Sequence, residues 1–111
     1  MPLSWGITLK PFDKIIGSIH FVNIVEYYLA EIGYILNPEH WGFGYMHEAL
    51  GACLHYGFYV VGLGRVRAKV EIDNIRSIKL LERNGFKKEA LIEEADYGGR
   101  VEDIYYYSLT V

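Results

Sequence analysis

The hydrophobic period of this chain switches abruptly across the segment Asn37 to Gly44, and that switch limits the folds open to it. Before it, three stretches rich in Ile, Val, Tyr and Phe read as strands: Trp5 to Lys10, Lys14 to Phe21 and Tyr28 to Leu36, bounded by Pro, Asp or Asn. In the third, Glu31, Gly33 and Ile35 share one face, and Ala30, Ile32 and Tyr34 the other. After the switch, Met46, Ala49, Leu50, Cys53, Leu54 and Val61 recur at helical spacing. They predict an amphipathic helix of about 16 residues, ended near Gly62 and Gly64. Arg65 to Ile72 reads as a strand again. Asp73 or Asn74 can cap a second helix, Ile75 to Arg83, with Ile75, Ile78 and Leu81 facing inward and Asn84-Gly85 stopping it. Phe86 to Asp96 and Val101 to Val111 read as strands joined by the hairpin turn Tyr97-Gly98-Gly99-Arg100. The predicted order is β-β-β-α-β-α-β-β, an α/β mixed sheet with helices packed on it, in one domain over residues 1–111.

Composition excludes several function classes. The net charge of −3 gives no global basic field, so nucleic acid is not the expected partner. The longest apolar stretch, Ala49 to Leu63, is interrupted by His55 and three glycines and is too short for a bilayer. Cys53 is the only cysteine, which excludes an internal disulfide and suits a reducing compartment; a cytoplasmic protein is expected. His20, His40, His47 and His55 show no ligand spacing, so no metal is expected.

An anionic ligand would have to be held by local donors, and the switch segment offers them. A strand ends, Gly42 and Gly44 follow, and a helix begins. Free N–H groups and the helix dipole form an anion site there without positive side chains, and glycine lets a phosphate come close. The same glycines also serve a plain tight turn. A P-loop is excluded by the lack of Gly-Lys-Ser/Thr, and a dinucleotide fingerprint by His47 where its third glycine belongs. A zincin motif is excluded by Gly51, four residues after His47.

Two stretches together carry a resemblance. Glu31-Ile32-Gly33-Tyr34, Trp41-Gly42-Phe43-Gly44-Tyr45 and Glu48-Ala49-Leu50 form the first; Asp73-Asn74, Ser77-Ile78, Leu81-Glu82 and Gly85-Phe86 form the second. In this order and spacing they resemble the GNAT N-acetyltransferase superfamily, in the branch of the RimJ and RimL ribosomal-protein acetyltransferases. The resemblance runs from about Trp5 to the end. It implies acetyl-CoA as co-substrate and an amine acceptor, either a small molecule or a protein N-terminus. It also implies that the backbone of Ile35, Leu36 and Asn37 holds the pantetheine arm, and that Trp41, Gly42, Phe43, Gly44, Tyr45 and Met46 build the pyrophosphate site. Asn74 is expected near the pantetheine, a role compatible with helix capping, and Ser77 near the coenzyme A sulfur, where a serine bonding only to backbone is the alternative. Arg76 and Lys79 are the candidates for the cofactor phosphates, ahead of the strand residues Arg65, Arg67 and Lys69. Glu31 and Asp96 are the candidate bases for the attacking amine; exposed or ion-paired carboxylates are the alternative for both.

The sequence also departs from the family pattern. Trp41 and Met46 replace the usual first and last residues of the pyrophosphate signature, and Met46 is expected to narrow the approach. Leu81 stands where many GNAT enzymes keep a tyrosine acid for the departing thiolate. The superfamily normally begins with one strand and two helices before the strand at Trp5, and only four residues precede Trp5 here. A shortened domain is therefore expected, with an unpaired strand edge, an uncovered apolar patch and a poorly formed acceptor site. Its expected state is a homodimer or larger assembly. A coenzyme A-binding or self-associating module without catalysis is the alternative function.

Overall fold

In the computed structural model, which describes residues 3–26 and 28–110, the first three strands form an antiparallel meander. They are β1 (Leu3–Thr8), β2 (Ile15–Val25) and β3 (Leu29–Leu36). Cross-strand partners share a face, so Leu3, Phe21 and Ile32 line up on one side, as do Trp5, Ile19 and Tyr34. Ser4, His20 and Gly33 line up on the other. A single 3₁₀ turn, Pro38–His40, leads to α1 (Tyr45–Tyr56), followed by β4 (Arg65–Glu71), α2 (Ile75–Arg83), β5 (Lys87–Tyr97) and β6 (Arg100–Thr110). The six strands make one sheet in the order β1-β2-β3-β4-β6-β5, in which only β3 and β4 run parallel.

The expected order of elements holds, with ends shifted by a few residues. β2 runs four residues past Phe21 to Val25, because Val25 still pairs with Leu29 beyond a register shift. The expected 16-residue helix is α1 followed directly by a wide π turn, Gly57–Val61. Gly57 is buried: a Cβ there would lie 3.0 Å from the Phe21 ring, so the helix approaches the sheet closely at this point. Gly62, at φ +89°, ends the run as expected. In α2 the inward assignment of Ile75 is corrected: it is 54% exposed, whereas Leu81 is fully buried and Leu80 packs against the core. Ile75 is the first residue of α2, at the rim where the helix emerges from its cap.

Both helices pack on the same face of the sheet. Leu50 and Leu54 from α1 and Leu81 from α2 join Val66, Ala68, Val70 and Tyr107 in one buried cluster. The opposite face is ionic at its centre. Arg65 and Arg67 converge on Glu89 at 2.6 and 3.0 Å, and Lys69 meets Glu31 at 3.7 Å. Burial opposes ionisation of Glu89, yet the Ser108 hydroxyl and the two guanidinium groups outweigh it and hold the carboxyl below the usual range. The uncovered face is thus ionic at its centre and carries exposed apolar residues such as Val22 and Ile35 beside it.

One glycine of the meander is required by contact. A Cβ on Gly17 would stand 2.4 Å from the Ile35 carbonyl oxygen. Gly17→Ala is therefore expected to push β3 outward and cost about 1–3 kcal/mol, read as a lower urea midpoint at unchanged slope.

Candidate active site

β3 and β4 pair only where Leu29–Glu31 meets Arg65–Arg67. Beyond that point the two parallel strands part, and a cleft of about 1100 Å³ opens between them. Its walls include Tyr34 from the helix-covered face and His20, Glu31, Gly33 and Lys69 from the ionic face, so the cleft reaches both sides of the sheet. A ligand lying in the gap can therefore be held from one face and attacked from the other.

The sequence-predicted turn forms one wall. Gly42 and Gly44 have φ of +87° and +81°, left-handed values that glycine adopts without strain, and a Cβ on either would meet nothing within 4 Å. Their surface is thus open to a ligand. Gly44 precedes α1, and the first helical N–H with a partner in its own helix is that of Glu48, to Gly44 O at 3.0 Å. The N–H groups of Tyr45, Met46 and His47 are left over at the cleft. Met46 does not crowd this cradle, contrary to expectation, because its side chain is 7% exposed and belongs to the core. Trp41 acts as a latch. Its indole N–H donates to Leu36 O at 2.8 Å, and Arg76 lies over its ring at 4.3 Å, tying the turn to β3 and α2.

The strand edge available for an arm of ligand differs by one residue from the expectation. Asn37 donates its N–H to Ile16 O at 2.8 Å, so by the two-residue alternation of an antiparallel pair Ile35 also turns its peptide groups toward β2. The contact of the Ile35 carbonyl with Gly17 agrees. Ile32, Tyr34 and Leu36 therefore turn theirs toward the gap, where the Leu36 carbonyl is already taken by Trp41. Asn37 and Ile35 are thus corrected as edge donors, because sheet pairing uses their N–H groups.

The start of α2 forms the facing wall. Asn74 is the helix cap: its side-chain oxygen accepts from Ser77 N–H at 3.2 Å. The Ser77 hydroxyl is hydrogen-bonded to the Tyr34 hydroxyl across the gap, not to its own helix backbone. Glu31 lies in the cleft with its ion pair to Lys69, and Asp96, exposed at the end of β5, lies at the cleft beside Tyr97. Arg76, Lys79 and Arg83 line the cleft from α2. With Lys69, four Lys/Arg face two carboxylates there, a local cationic surplus on a chain of net charge −3.

The structure thus gathers Glu31, Ile35, Leu36, Trp41, Gly42, Gly44, Tyr45, Met46, Asn74, Ser77, Lys79 and Asp96 around one cleft. Phe43 stacks on Tyr45 at 5.4 Å but is itself exposed beside the cradle. Sequence reasoning missed Tyr34, His20 and Arg83. Tyr34 stood in the motif but was read only as a strand-face residue; His20 and Arg83 lie outside any motif and arrive by strand pairing and helix phase.

A parted parallel pair, a glycine turn and a helix start thus meet at one cleft. The GNAT acetyltransferase domain model matches residues 1–87, and the chain belongs to that family. It is 42% identical over 108 residues to the uncharacterized N-acetyltransferase p20 of Bacillus licheniformis, covering 95% of this chain and 60% of that protein. It is 36% identical over 86 residues to the ribosomal-protein-serine acetyltransferase of Escherichia coli, covering 77% of this chain and 48% of that one. Among solved structures, a GNAT-family acetyltransferase from Bacillus anthracis superimposes with a TM-score of 0.88 at 29% identity, over 96% of this chain and 65% of that one. The chain spans about half to three fifths of the length of these two curated relatives. Among the described residues no helix is long and apolar enough to cross a membrane.

Proposed function

We propose that this chain binds acetyl-CoA in the gap between β3 and β4 and transfers its acetyl group to a primary amine by direct attack. The observation that carries this reading is the juxtaposition of the Gly42–Gly44 cradle with the parted strands, in a cleft open to both faces. The N–H groups of Tyr45, Met46 and His47 and the cations of α2 suit a pyrophosphate, and the free edge of β3 suits an extended amide-bearing arm. Edge N–H groups also suit polarisation of the thioester carbonyl. Glu31, ion-paired with Lys69, and Asp96, exposed, both line the cleft, which supports their taking the amine's proton, directly or through water. The acceptor is a small amine or a protein N-terminus; relatives include a spermidine acetyltransferase as well as the ribosomal-protein enzyme.

We propose self-association through β1. It forms one end of the sheet, and its residues Leu3–Thr8 carry no charge, while β5 at the other end is rich in Lys and Glu and is bulged. The buried free thiol of Cys53 fits cytoplasmic placement.

The test is thiol release from acetyl-CoA with a panel of amines. Turnover is expected, with Glu31→Gln or Asp96→Asn lowering kcat about 100-fold at neutral pH and less as the pH rises and more amine is already neutral. Wild-type kcat in both variants would leave proton removal to solvent. Thermal stabilisation by acetyl-CoA without turnover on any amine would mean a binding module and not an enzyme.

A further inference from the structure

Leu81, fully buried in the core, stands where the family pattern places a tyrosine on α2, and a tyrosine of the sheet instead reaches the start of that helix. Tyr34 sits on the free stretch of β3, beyond the last residue paired with β4, and its hydroxyl crosses the gap to Ser77 Oγ. We propose that Tyr34 is a positioning residue for acetyl transfer, donating its hydroxyl hydrogen to Ser77 so that the Ser77 hydrogen points at the departing sulfur. This rests on the acetyl-transfer reading above.

The local geometry narrows the roles. The Ser77 backbone N–H is taken by Asn74, which fixes the first turn of α2 and the direction of the serine side chain. A phenol is a far better donor than an aliphatic alcohol, so the Tyr34 hydrogen goes to Ser77 and the Ser77 hydrogen is left for a third atom. Burial raises the Tyr34 phenol above its ordinary value; the Ser77 bond pulls the other way and nearby Tyr97 adds to the rise. Tyr34 therefore keeps its proton at working pH and is available as a donor. As the amine nitrogen bonds to the acyl carbon and the carbon–sulfur bond breaks, the electron pair goes to sulfur. Ser77 passes its hydrogen to that sulfur and takes the one from Tyr34. The surplus amine proton leaves to a carboxylate or water, and Tyr34 regains a proton from solvent.

The experiment compares wild type, Tyr34→Phe, Ser77→Ala and the double variant in three measurements. These are coenzyme A affinity by calorimetry, kcat with a reactive amine, and the ultraviolet titration of the thiol of bound coenzyme A. Tyr34→Phe is expected to lower kcat about 100-fold with affinity changed less than about twofold. It should add almost nothing to Ser77→Ala, because it acts through that serine. Both single variants should make the bound thiol titrate at higher pH than in wild type, since they remove donation to the thiolate. Losses that multiply would mean that Tyr34 acts independently of Ser77, and a thiol titration that does not move would mean a structural tie; either result overturns the proposal. Phenylalanine keeps the ring and its packing; should that variant not fold, the Ser77→Ala titration carries the test alone. Turnover in wild type with full activity in Tyr34→Phe overturns the relay only. Binding without turnover overturns the acetyl-transfer reading while the thiol titration still decides the relay. No binding of coenzyme A to wild type overturns both.

Discussion

Gly44→Glu is expected to abolish acetyl-CoA binding while leaving the protein folded. The position has φ +81°, so any side chain there carries left-handed strain of about 1–2 kcal/mol. It has no steric neighbour, however: a Cβ meets nothing within 4 Å. The larger effect is electrostatic. A carboxylate is placed beside the N–H groups of Tyr45, Met46 and His47, where it satisfies them itself and repels the pyrophosphate. A loss of at least ~100-fold in affinity by calorimetry is expected, about 2.7 kcal/mol. Gly44→Ala, with the strain but without the charge, should lose far less. Unchanged affinity in a folded Gly44→Glu protein would place the pyrophosphate elsewhere.

The second large effect is on stability. Leu50 is fully buried on α1, in the cluster that seats both helices against β4 and β6. Leu50→Ala removes that packing and leaves a cavity that a helix anchored at both ends relieves only in part. A cost of about 2–5 kcal/mol is expected from the urea midpoint. Because α1 carries the cradle at its start, saturating acetyl-CoA should recover part of the lost stability by mass action. A cost below about 1 kcal/mol would mean that α1 is not seated through this residue.

Much of this protein follows from local sequence. Alternation in the strands, the 3.6-residue period from Met46 onward, the Asn74 cap and the paired glycines at 98 and 99 are short-range signals, and each is realised where it stands. The glycine turn before α1 was legible for the same reason, since a positive-φ turn before a helix is a matter of neighbouring residues. What only the tertiary structure decided lies in the strand register and the helix phase. Whether Ile35 or Leu36 turns its peptide toward the gap depends on which residues β2 takes, and a one-residue change inverts the answer. The rim position of Ile75 and the ionic centre of the open face likewise depend on partners distant in sequence. The bond between Tyr34 and Ser77 joins residues 43 positions apart, brought together because β3 and β4 part where α2 begins. Periodicity places each on its own element; only packing of the elements decides that they meet.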